Sequence, residues 1–175
     1  GPGYGGSCFP KDVEALINFS NEIGYNPILL GAVKNTNTHQ VNAVMNLIKI
    51  NLQKLKGKKI SILGLAFKEN TDDIRESRSI KLINLLLKYD CNIVVHDPKA
   101  IDNTRLIFKN KITYSNSIKD VIMNSDCTII MTAWEDYKKL KEKDFLTMKN
   151  PMILDTRRIL NIKNKRISYI GLGVG

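Results

Sequence analysis

The pattern of apolar and polar positions divides the chain into a helical first third and a longer part in which strands and helices alternate. Residues 11–23 carry apolar side chains at helical spacing, and a second, longer helix is predicted from about Pro27 to Lys56. After Gly57, short apolar runs typical of buried strands alternate with helical segments. The predicted fold class is therefore α/β: two N-terminal helices, one of them long, followed by a doubly wound, mainly parallel Rossmann-like sheet.

The boundary between the two parts is placed at Gly57, where the character of the pattern changes. The predicted strands are Lys59–Ala66, Asn92–His96, Cys127–Met131, Met152–Leu154 and Ile167–Ile170. The predicted helices among them are Ile74–Tyr89, Ile118–Met123 and Glu135–Phe145.

The long helix carries an apolar stripe that has no sheet beneath it in the predicted arrangement. The stripe consists of Val33, Val41, Val44, Ile48 and Leu55. An exposed stripe of this length is unfavourable, so we expect a homodimer in which two copies of the long helix pack together. The alternative is that the stripe folds back onto the α/β part of the same chain.

Composition adds one unusual property, a strong positive charge. The chain has 27 Lys and Arg against 17 Asp and Glu, which gives a formal net charge of +10. Such a charge favours acidic partners, but the lysines are scattered and form no long basic tract with interleaved aromatics. This distribution favours a solvated surface, and we expect no nucleic-acid partner.

The sequence also indicates where in the cell the protein is located. No uncharged apolar run approaches the roughly 20 residues that a membrane helix needs, so we expect no membrane association. The three cysteines are an odd number and are thinly spread, which indicates a reducing compartment and predicts a cytoplasmic protein.

Candidate ligand-binding residues follow the predicted strands, where a doubly wound sheet binds its ligands. The first strand ends without a G-x-G-x-x-G fingerprint, but Lys68 and Arg75 flank a predicted helix N-terminus. These cations fit either a phosphate site or a capped helix with solvated charges. Asp97 fits either a ribose contact or a turn, and Arg157 fits either a phosphate contact or a surface ion pair.

Cys8 is the strongest candidate for chemistry. It follows Gly5, Gly6 and Ser7 and lies just before Pro10, at the predicted start of a helix. A thiol at a helix N-terminus is close to the positive end of the helix dipole, which favours the thiolate. Asp12 lies one turn further on and is placed to orient a water or carry a proton. The alternative is an ordinary exposed cysteine. Cys91 and Cys127 begin apolar strands and are interpreted as core residues.

Two segments resemble the UDP-glucose/GDP-mannose dehydrogenase family. Residues 3–12, GYGGSCFPKD, resemble its active-site segment, and residues 64–77, GLAFKENTDDIRES, resemble a second family motif. Weaker similarities follow in family order at HDP, TAW and DTR, residues 96–98, 132–134 and 155–157. The resemblance therefore extends over nearly the whole chain.

The resemblance implies an NAD-dependent oxidation of UDP-glucose to UDP-glucuronate through a cysteine thiohemiacetal and thioester. It implies that Cys8 is the nucleophile and that Asp12 assists the hydrolytic water. It implies that the cofactor is NAD, contacted by Arg75, and it implies no metal. The substrate-binding residues that it implies are Tyr4, Gly5, Phe9, Phe67, Lys68 and Arg157.

The resemblance covers only the C-terminal portion of the family. It implies that residues 1–56 form the active-site loop and the dimerisation helices, and that residues 57–175 form the UDP-sugar-binding α/β domain. The N-terminal NAD-binding domain of the family has no counterpart here, so we expect the segment alone to be inactive. The alternatives are a GDP-mannose or UDP-N-acetyl-hexosamine dehydrogenase fragment, or a non-catalytic module that binds a sugar nucleotide or dimerises.

Overall fold

The two helices predicted in the first third of the chain are present, and shorter helices lie among the strands that follow. A computed structural model describes residues 1–173. Among these residues, no helix is long and apolar enough to cross a membrane. The helices are α1 (Phe9–Glu22), α2 (Ile28–Leu52), α3 (Arg78–Leu86), α4 (Ile101–Phe108), α5 (Ile118–Ile122), α6 (Glu135–Lys138) and α7 (Glu142–Phe145).

Six strands form one parallel sheet, which confirms the predicted fold class. They are β1 (Lys59–Leu63), β2 (Asn92–His96), β3 (Thr113–Tyr114), β4 (Cys127–Ile130), β5 (Met152–Asp155) and β6 (Ser168–Gly171). Their order across the sheet is β3-β2-β1-β4-β5-β6, and all neighbouring pairs are parallel. The central strands β1, β4 and β5 are almost entirely buried, as expected for a sheet covered on both faces.

The strand order reverses between β1 and β4, and this is where a doubly wound sheet opens a crevice for ligands. Here the backbone after β1 is pressed against the backbone after β4. Gly64 has φ +101°, and a Cβ at this position would lie 2.5 Å from the side chain of Thr132. The Thr132 hydroxyl donates to the carbonyl of Ala66 at 2.8 Å. The next residues, from Phe67 onward, are therefore directed out of this contact and over the edge of the sheet.

The long helix α2 uses most of its apolar stripe within its own chain. Val41, Val44 and Ile48 are buried in the same core as the sheet, and α2 packs against α3. The reason given for the dimer is therefore wrong for these residues, and the alternative of folding back is correct for them. Val33, near the start of α2, is exposed. Leu55 is buried but lies beyond the end of the helix.

Several bounds and elements differ from the prediction. Helix α2 ends at Leu52 and not at Lys56, β1 ends at Leu63 and not at Ala66, and the predicted helix Glu135–Phe145 is divided into α6 and α7. Helix α3 begins at Arg78 and not at Ile74, because Ser77 caps it by accepting the amide of Ser79 at 3.2 Å. Lys68 and Arg75 therefore flank a loop, not a helix N-terminus. Helix α4 and the two-residue strand β3 were not predicted.

The two isoleucines near the end of α2 provide a matched test of this packing. Ile48 is 0% exposed and Ile50 is 72% exposed. We expect Ile48→Ala to lower the free energy of unfolding by about 2–5 kcal/mol because it leaves a cavity in the core. Ile50→Ala should change it by less than about 0.5 kcal/mol. Urea denaturation measures both, and equal losses would contradict the assigned core.

Candidate functional site

The glycine-rich loop at the start of the chain is held by its backbone at Tyr4. Asn37, a buried residue of α2, accepts the Tyr4 amide at 2.8 Å and donates to the Tyr4 carbonyl at 3.1 Å. Nε of Arg78 donates to the same carbonyl at 2.7 Å, and its Nη2 donates to it as well. The Tyr4 peptide is thus fixed between α2 and α3, four residues before Cys8.

The next two glycines lie too close to their neighbours for any side chain. A Cβ on Gly5 would be 2.4 Å from the carbonyl oxygen of Glu76. Gly6 has φ +89°, and a Cβ there would lie 2.7 Å from the Phe67 ring. The Gly6 amide donates to the carbonyl of Arg75 at 2.9 Å. The loop therefore lies directly on the segment that follows β1, and glycine is required for that approach.

Cys8 lies at the N-cap of α1, as predicted, and its side chain is exposed. The Ser7 hydroxyl lies 3.7 Å from its Sγ. The carbonyl of Cys8 accepts the amide of Asp12 at 2.9 Å, so the two residues lie one helical turn apart. The Asp12 carboxylate is exposed and lies 3.7 Å from Nζ of Lys11. The structure thus offers an accessible thiol and a carboxylate on the first turn of one helix.

The other two cysteines are core residues, as predicted. Cys91 is buried, and burial raises the pKa of its thiol to about 11. Burial also raises the pKa of the Cys127 thiol. Thiolates are the nucleophilic form of cysteine. Cys8 is therefore the exposed thiol among the three.

Arg75 is a cation of the segment on which the thiol-bearing loop lies, since its carbonyl accepts the Gly6 amide. Its guanidinium forms a bidentate pair with Asp73, with Nη2 2.8 Å from Oδ2. This hydrogen bond raises the pKa of Arg75, and the charge of Cys8 contributes in the same direction. The same bond lowers the pKa of Asp73. Because the guanidinium is mostly exposed, it can pair with an anion near the thiol.

Four of the predicted substrate-binding residues line one open cavity of about 430 Å³, which we call the nucleotide-side cavity. They are Tyr4, Gly5, Phe67 and Arg157. Phe9 lies outside this lining, with its ring edge-on to that of Tyr4 at 4.7 Å. Lys68 is exposed beside it, with Nζ 5.5 Å from the centre of the Phe67 ring. The structure thus brings Tyr4, Gly5, Phe67 and Arg157 together at one cavity, and it leaves Phe9 and Lys68 outside its lining.

Arg157 is the most constrained cation of this cavity. Its Nε donates to the carbonyl of Met131 at 2.7 Å, which directs the guanidinium along the end of β4. Burial lowers the pKa of Arg157, and the charge of Glu69 opposes part of that shift. A partly desolvated guanidinium held by a neutral carbonyl is suited to an anionic ligand.

A second cavity, of about 540 Å³, lies on the other side of the loop. It is bordered by Ser7, which precedes the thiol, by Arg75 and by residues of α1, α2 and α3. Its lining contains five cations and two carboxylates: Lys11, Lys34, Arg75, Arg78 and Lys81 against Glu14 and Glu76. This wall is therefore positive, although Lys34 pairs with Glu14 and Lys81 with Glu76.

The buried carboxylates at the ends of β2 and β5 have structural roles. Asp97 accepts five hydrogen bonds, from the backbone amides of residues 65, 66, 99 and 100 and from the indole of Trp134. Asp155 also accepts five, from the amides of residues 157–160 and from the hydroxyl of Tyr169. Asp97 is thus a turn former and not a ribose contact. Among residues 1–173, no group of three His, Cys, Asp and Glu could hold a metal ion.

Comparison with known proteins identifies the family to which this chain belongs. The model of the UDP-glucose/GDP-mannose dehydrogenase family, UDP binding domain, matches residues 61–162. The model of the central domain of the same family matches residues 1–39. The chain belongs to the UDP-glucose/GDP-mannose dehydrogenase family.

Individual members of the family are similar over most of this chain. It is 40% identical to UDP-glucose 6-dehydrogenase AglM of Haloferax volcanii, over 91% of this chain and 36% of that protein. It is 36% identical to UDP-glucose 6-dehydrogenase of Rickettsia conorii, over 100% of this chain and 41% of that protein. The solved UDP-glucose dehydrogenase of Pyrobaculum islandicum matches with a TM-score of 0.85 and 33% identity, over 99% of this chain and 38% of that one. The chain thus spans about two fifths of the length of these relatives.

Two residues that hold the glycine-rich loop were missed by the sequence analysis. Asn37 gave a weak signal, since it is a polar residue on the helix that carries the apolar stripe. Arg78 gave none, because one arginine in a segment rich in serine and charge is usually solvated. Both act on the backbone of Tyr4, which a sequence pattern does not show.

The contact between Tyr169 and Asp155 generates a prediction about alkaline pH. Burial, together with the Asp155 carboxylate, raises the pKa of Tyr169 from 10.0 to about 12. A raised folded-state pKa contributes stability that is complete below pH 10 and is lost as the pH rises through 12. We expect the free energy of unfolding to fall over this interval by up to about 1 kcal/mol per pH unit more in the wild type than in Tyr169→Phe.

Urea denaturation at pH 9, 10 and 11 measures this difference. Tyr25→Phe is the control, because Tyr25 is exposed in the turn between α1 and α2. Its slope against pH should follow the wild type. Parallel slopes for the wild type and Tyr169→Phe would contradict the raised pKa of the Tyr169 hydroxyl.

Proposed function

We propose that this chain carries the thiol and the sugar-nucleotide site of an NAD-dependent UDP-glucose 6-dehydrogenase. The observation that supports this most is the exposed thiol of Cys8 on a loop whose own residues, Tyr4 and Gly5, line the nucleotide-side cavity. A sugar attached to a nucleotide in that cavity lies within reach of a loop that also bears a nucleophile. The names of the relatives favour UDP-glucose as the sugar nucleotide.

Cys8 supplies the covalent step. Its thiolate attacks the aldehyde carbon that results from oxidation of the sugar's primary alcohol, and the carbonyl oxygen becomes the hydroxyl of a thiohemiacetal. Loss of a hydride and a proton converts the thiohemiacetal into a thioester. Water then attacks the thioester carbon, the bond to Sγ breaks, and the acid and the free thiol are released. Asp12 orients this water and takes its proton.

Two NAD molecules, bound one after the other, would each accept one of the two hydrides that this oxidation releases. The residues present fit such a cofactor, because the exposed guanidinium of Arg75 belongs to a positive cavity wall that is also bordered by Ser7, the residue before the thiol. A dinucleotide carries a pyrophosphate, and an arginine fork recognises phosphate oxygens. Arg75 is the cofactor contact in this proposal.

The nucleotide is held on the other side of the loop. Arg157 presents its fork to the pyrophosphate and Lys68 adds a point charge at the rim. The Phe67 ring offers a flat apolar face for the uracil or ribose, and Tyr4, Gly5 and Phe9 border the sugar.

A GDP-mannose or UDP-N-acetyl-hexosamine substrate and a non-catalytic binding module are the other outcomes that binding experiments distinguish. The three free cysteines agree with a cytoplasmic location.

Calorimetric titration with UDP tests the nucleotide site. We expect Lys68→Ala to weaken binding about 10- to 100-fold, which is the effect of losing one charge-assisted hydrogen bond. Arg157→Lys should also weaken it, because a point charge does not replace a planar fork. Cys8→Ser should bind UDP almost as the wild type does, since the thiol contacts the sugar and not the nucleotide.

The controls for this titration are the alternative ligands. UDP-glucose should bind at least as tightly as UDP, and GDP and GDP-mannose should bind more weakly. Unchanged affinity in Lys68→Ala would remove that residue from the site. Preference for GDP-mannose would replace UDP-glucose as the proposed substrate.

We also propose that the chain forms a homodimer through α1 and the first half of the long helix α2. These segments expose large apolar side chains that no described residue covers: Leu16, Phe19, Ile23, Ile28, Leu29 and Val33. A contiguous apolar surface of this kind is typical of a protein interface. The positions differ from Val44 and Ile48, which face the core of their own chain.

Two leucines with equal exposure test the dimer. Leu29, on α2, and Leu106, on α4, are each 77% exposed. In sedimentation experiments we expect a dimer for the wild type and for Leu106→Asp, and a monomer for Leu29→Asp, because a buried unpaired charge is unfavourable. A wild type that stays monomeric at micromolar concentration would contradict the proposed interface.

A further inference from the structure

Arg78 is a buried cation without an acidic partner. It is 5% exposed, and the carbonyl of Tyr4 is the acceptor that its guanidinium contacts among residues 1–173. Burial lowers the pKa of Arg78, and the charges of Glu76 and Tyr4 oppose part of that shift. Removing a guanidinium from water without an ion pair is unfavourable. Within the described part of the chain, the unpaired guanidinium of Arg78 is buried against the backbone of the thiol-bearing loop.

The carbonyl oxygen of Tyr4 accepts hydrogen bonds from two side chains, those of Arg78 and Asn37. Nε and Nη2 of Arg78 and Nδ2 of Asn37 all donate to this single oxygen. The guanidinium also lies 6.0 Å from the centre of the Tyr4 ring. A carbonyl with three donors from two different helices has little freedom to rotate, so the peptide plane at Tyr4 is fixed in orientation.

The backbone of Arg78 is itself anchored to the end of β1. The hydroxyl of Ser77 donates to the carbonyl of Leu65 at 2.6 Å, and that of Ser79 donates to the carbonyl of Gly64 at 2.7 Å. Both serines are buried. The residues that follow Leu65 along the chain are those of the nucleotide-side cavity, beginning with Phe67. Arg78 thus adds a side-chain contact between this anchored segment and the loop that carries the thiol, beside the backbone hydrogen bond from Gly6 to Arg75.

We propose that Arg78 is a positioning residue that holds the thiol-bearing loop at a fixed distance from the nucleotide-side cavity. Its guanidinium fixes the Tyr4 peptide, and the four residues from Gly5 to Cys8 follow from that point. The consequence for the reaction, that a bound sugar meets the thiol, rests on the proposed function. The effect of Arg78 on the loop does not depend on it.

Amide hydrogen exchange tests the effect on the loop. The reporters are the amides of Tyr4 and Gly6, which donate to Asn37 and Arg75, and the amide of Ile62 in β1 reports on the core. We expect Arg78→Ala to accelerate exchange at Tyr4 and Gly6 by about 10- to 100-fold, as for loss of charge-assisted hydrogen bonds. Exchange at Ile62 should not change. Added guanidinium ion should restore slow exchange.

Two further variants complete this test. Lys81→Ala removes another cation of α3, which pairs with Glu76 and does not touch the loop, and it should exchange as the wild type does. Arg78→Lys should give an intermediate acceleration, because one ammonium cannot reproduce a two-donor contact. Wild-type exchange at Tyr4 and Gly6 in Arg78→Ala would overturn the proposal. Equal acceleration at Ile62 would overturn it too, since Arg78 would then hold the whole fold.

Alkylation of Cys8 by iodoacetamide tests the link to the nucleotide. In the wild type, bound UDP-glucose should slow alkylation severalfold, because the sugar covers the thiol. In Arg78→Ala we expect UDP to bind, by calorimetry, while UDP-glucose no longer slows alkylation. Full protection in that variant would overturn the proposed coupling. Absence of protection in the wild type would contradict the proposed function alone, and the exchange rates would still decide the role of Arg78.

Discussion

A parallel sheet gathers the carboxyl ends of its strands at one edge, and the amides of the loops that follow them need acceptors. In this fold two buried carboxylates, Asp97 and Asp155, satisfy that need with five hydrogen bonds each. Asp97 connects the end of β2 to the segment before Phe67, and Asp155 shapes the segment that carries Arg157. The positions of Phe67 and Arg157, which line the nucleotide-side cavity, therefore depend on these two carboxylates.

The strands were predictable because burial on both faces of the sheet leaves largely apolar runs, such as Ile60–Leu63, which Ser61 alone interrupts. The start of α3 was not, because Thr71 and Asp73 bind nearby backbone amides and keep that segment out of a helix. Helix α4 is short and half polar, and β3 has only two residues, so neither leaves a clear pattern. Val41, Val44 and Ile48 of the predicted stripe are buried on α2, but periodicity does not tell which surface covers them.

The candidate site also contains residues that could be predicted from the sequence and residues that could not. Cys8 was predictable because its chemistry depends on a local arrangement, a thiol at the first turn of a helix after glycines. The lining of the nucleotide-side cavity followed from motifs whose residues lie at strand ends. The contact of Asn37 and Arg78 with Tyr4 joins residues 33 and 74 positions apart through a backbone carbonyl. No side-chain pattern records a contact of that kind.

Phe67 forms one wall of the nucleotide-side cavity and is also the surface on which Gly6 rests. Under the proposed function, substrate selectivity and nucleophile placement are consequently not separable at this aromatic ring. A smaller residue introduced to admit a different base would leave a void under the backbone of the loop, and a bulkier one would push the loop outward. Selection or engineering for new sugar nucleotides is then expected to act first through Lys68 and Arg157, the two cations that the proposal assigns to the ligand.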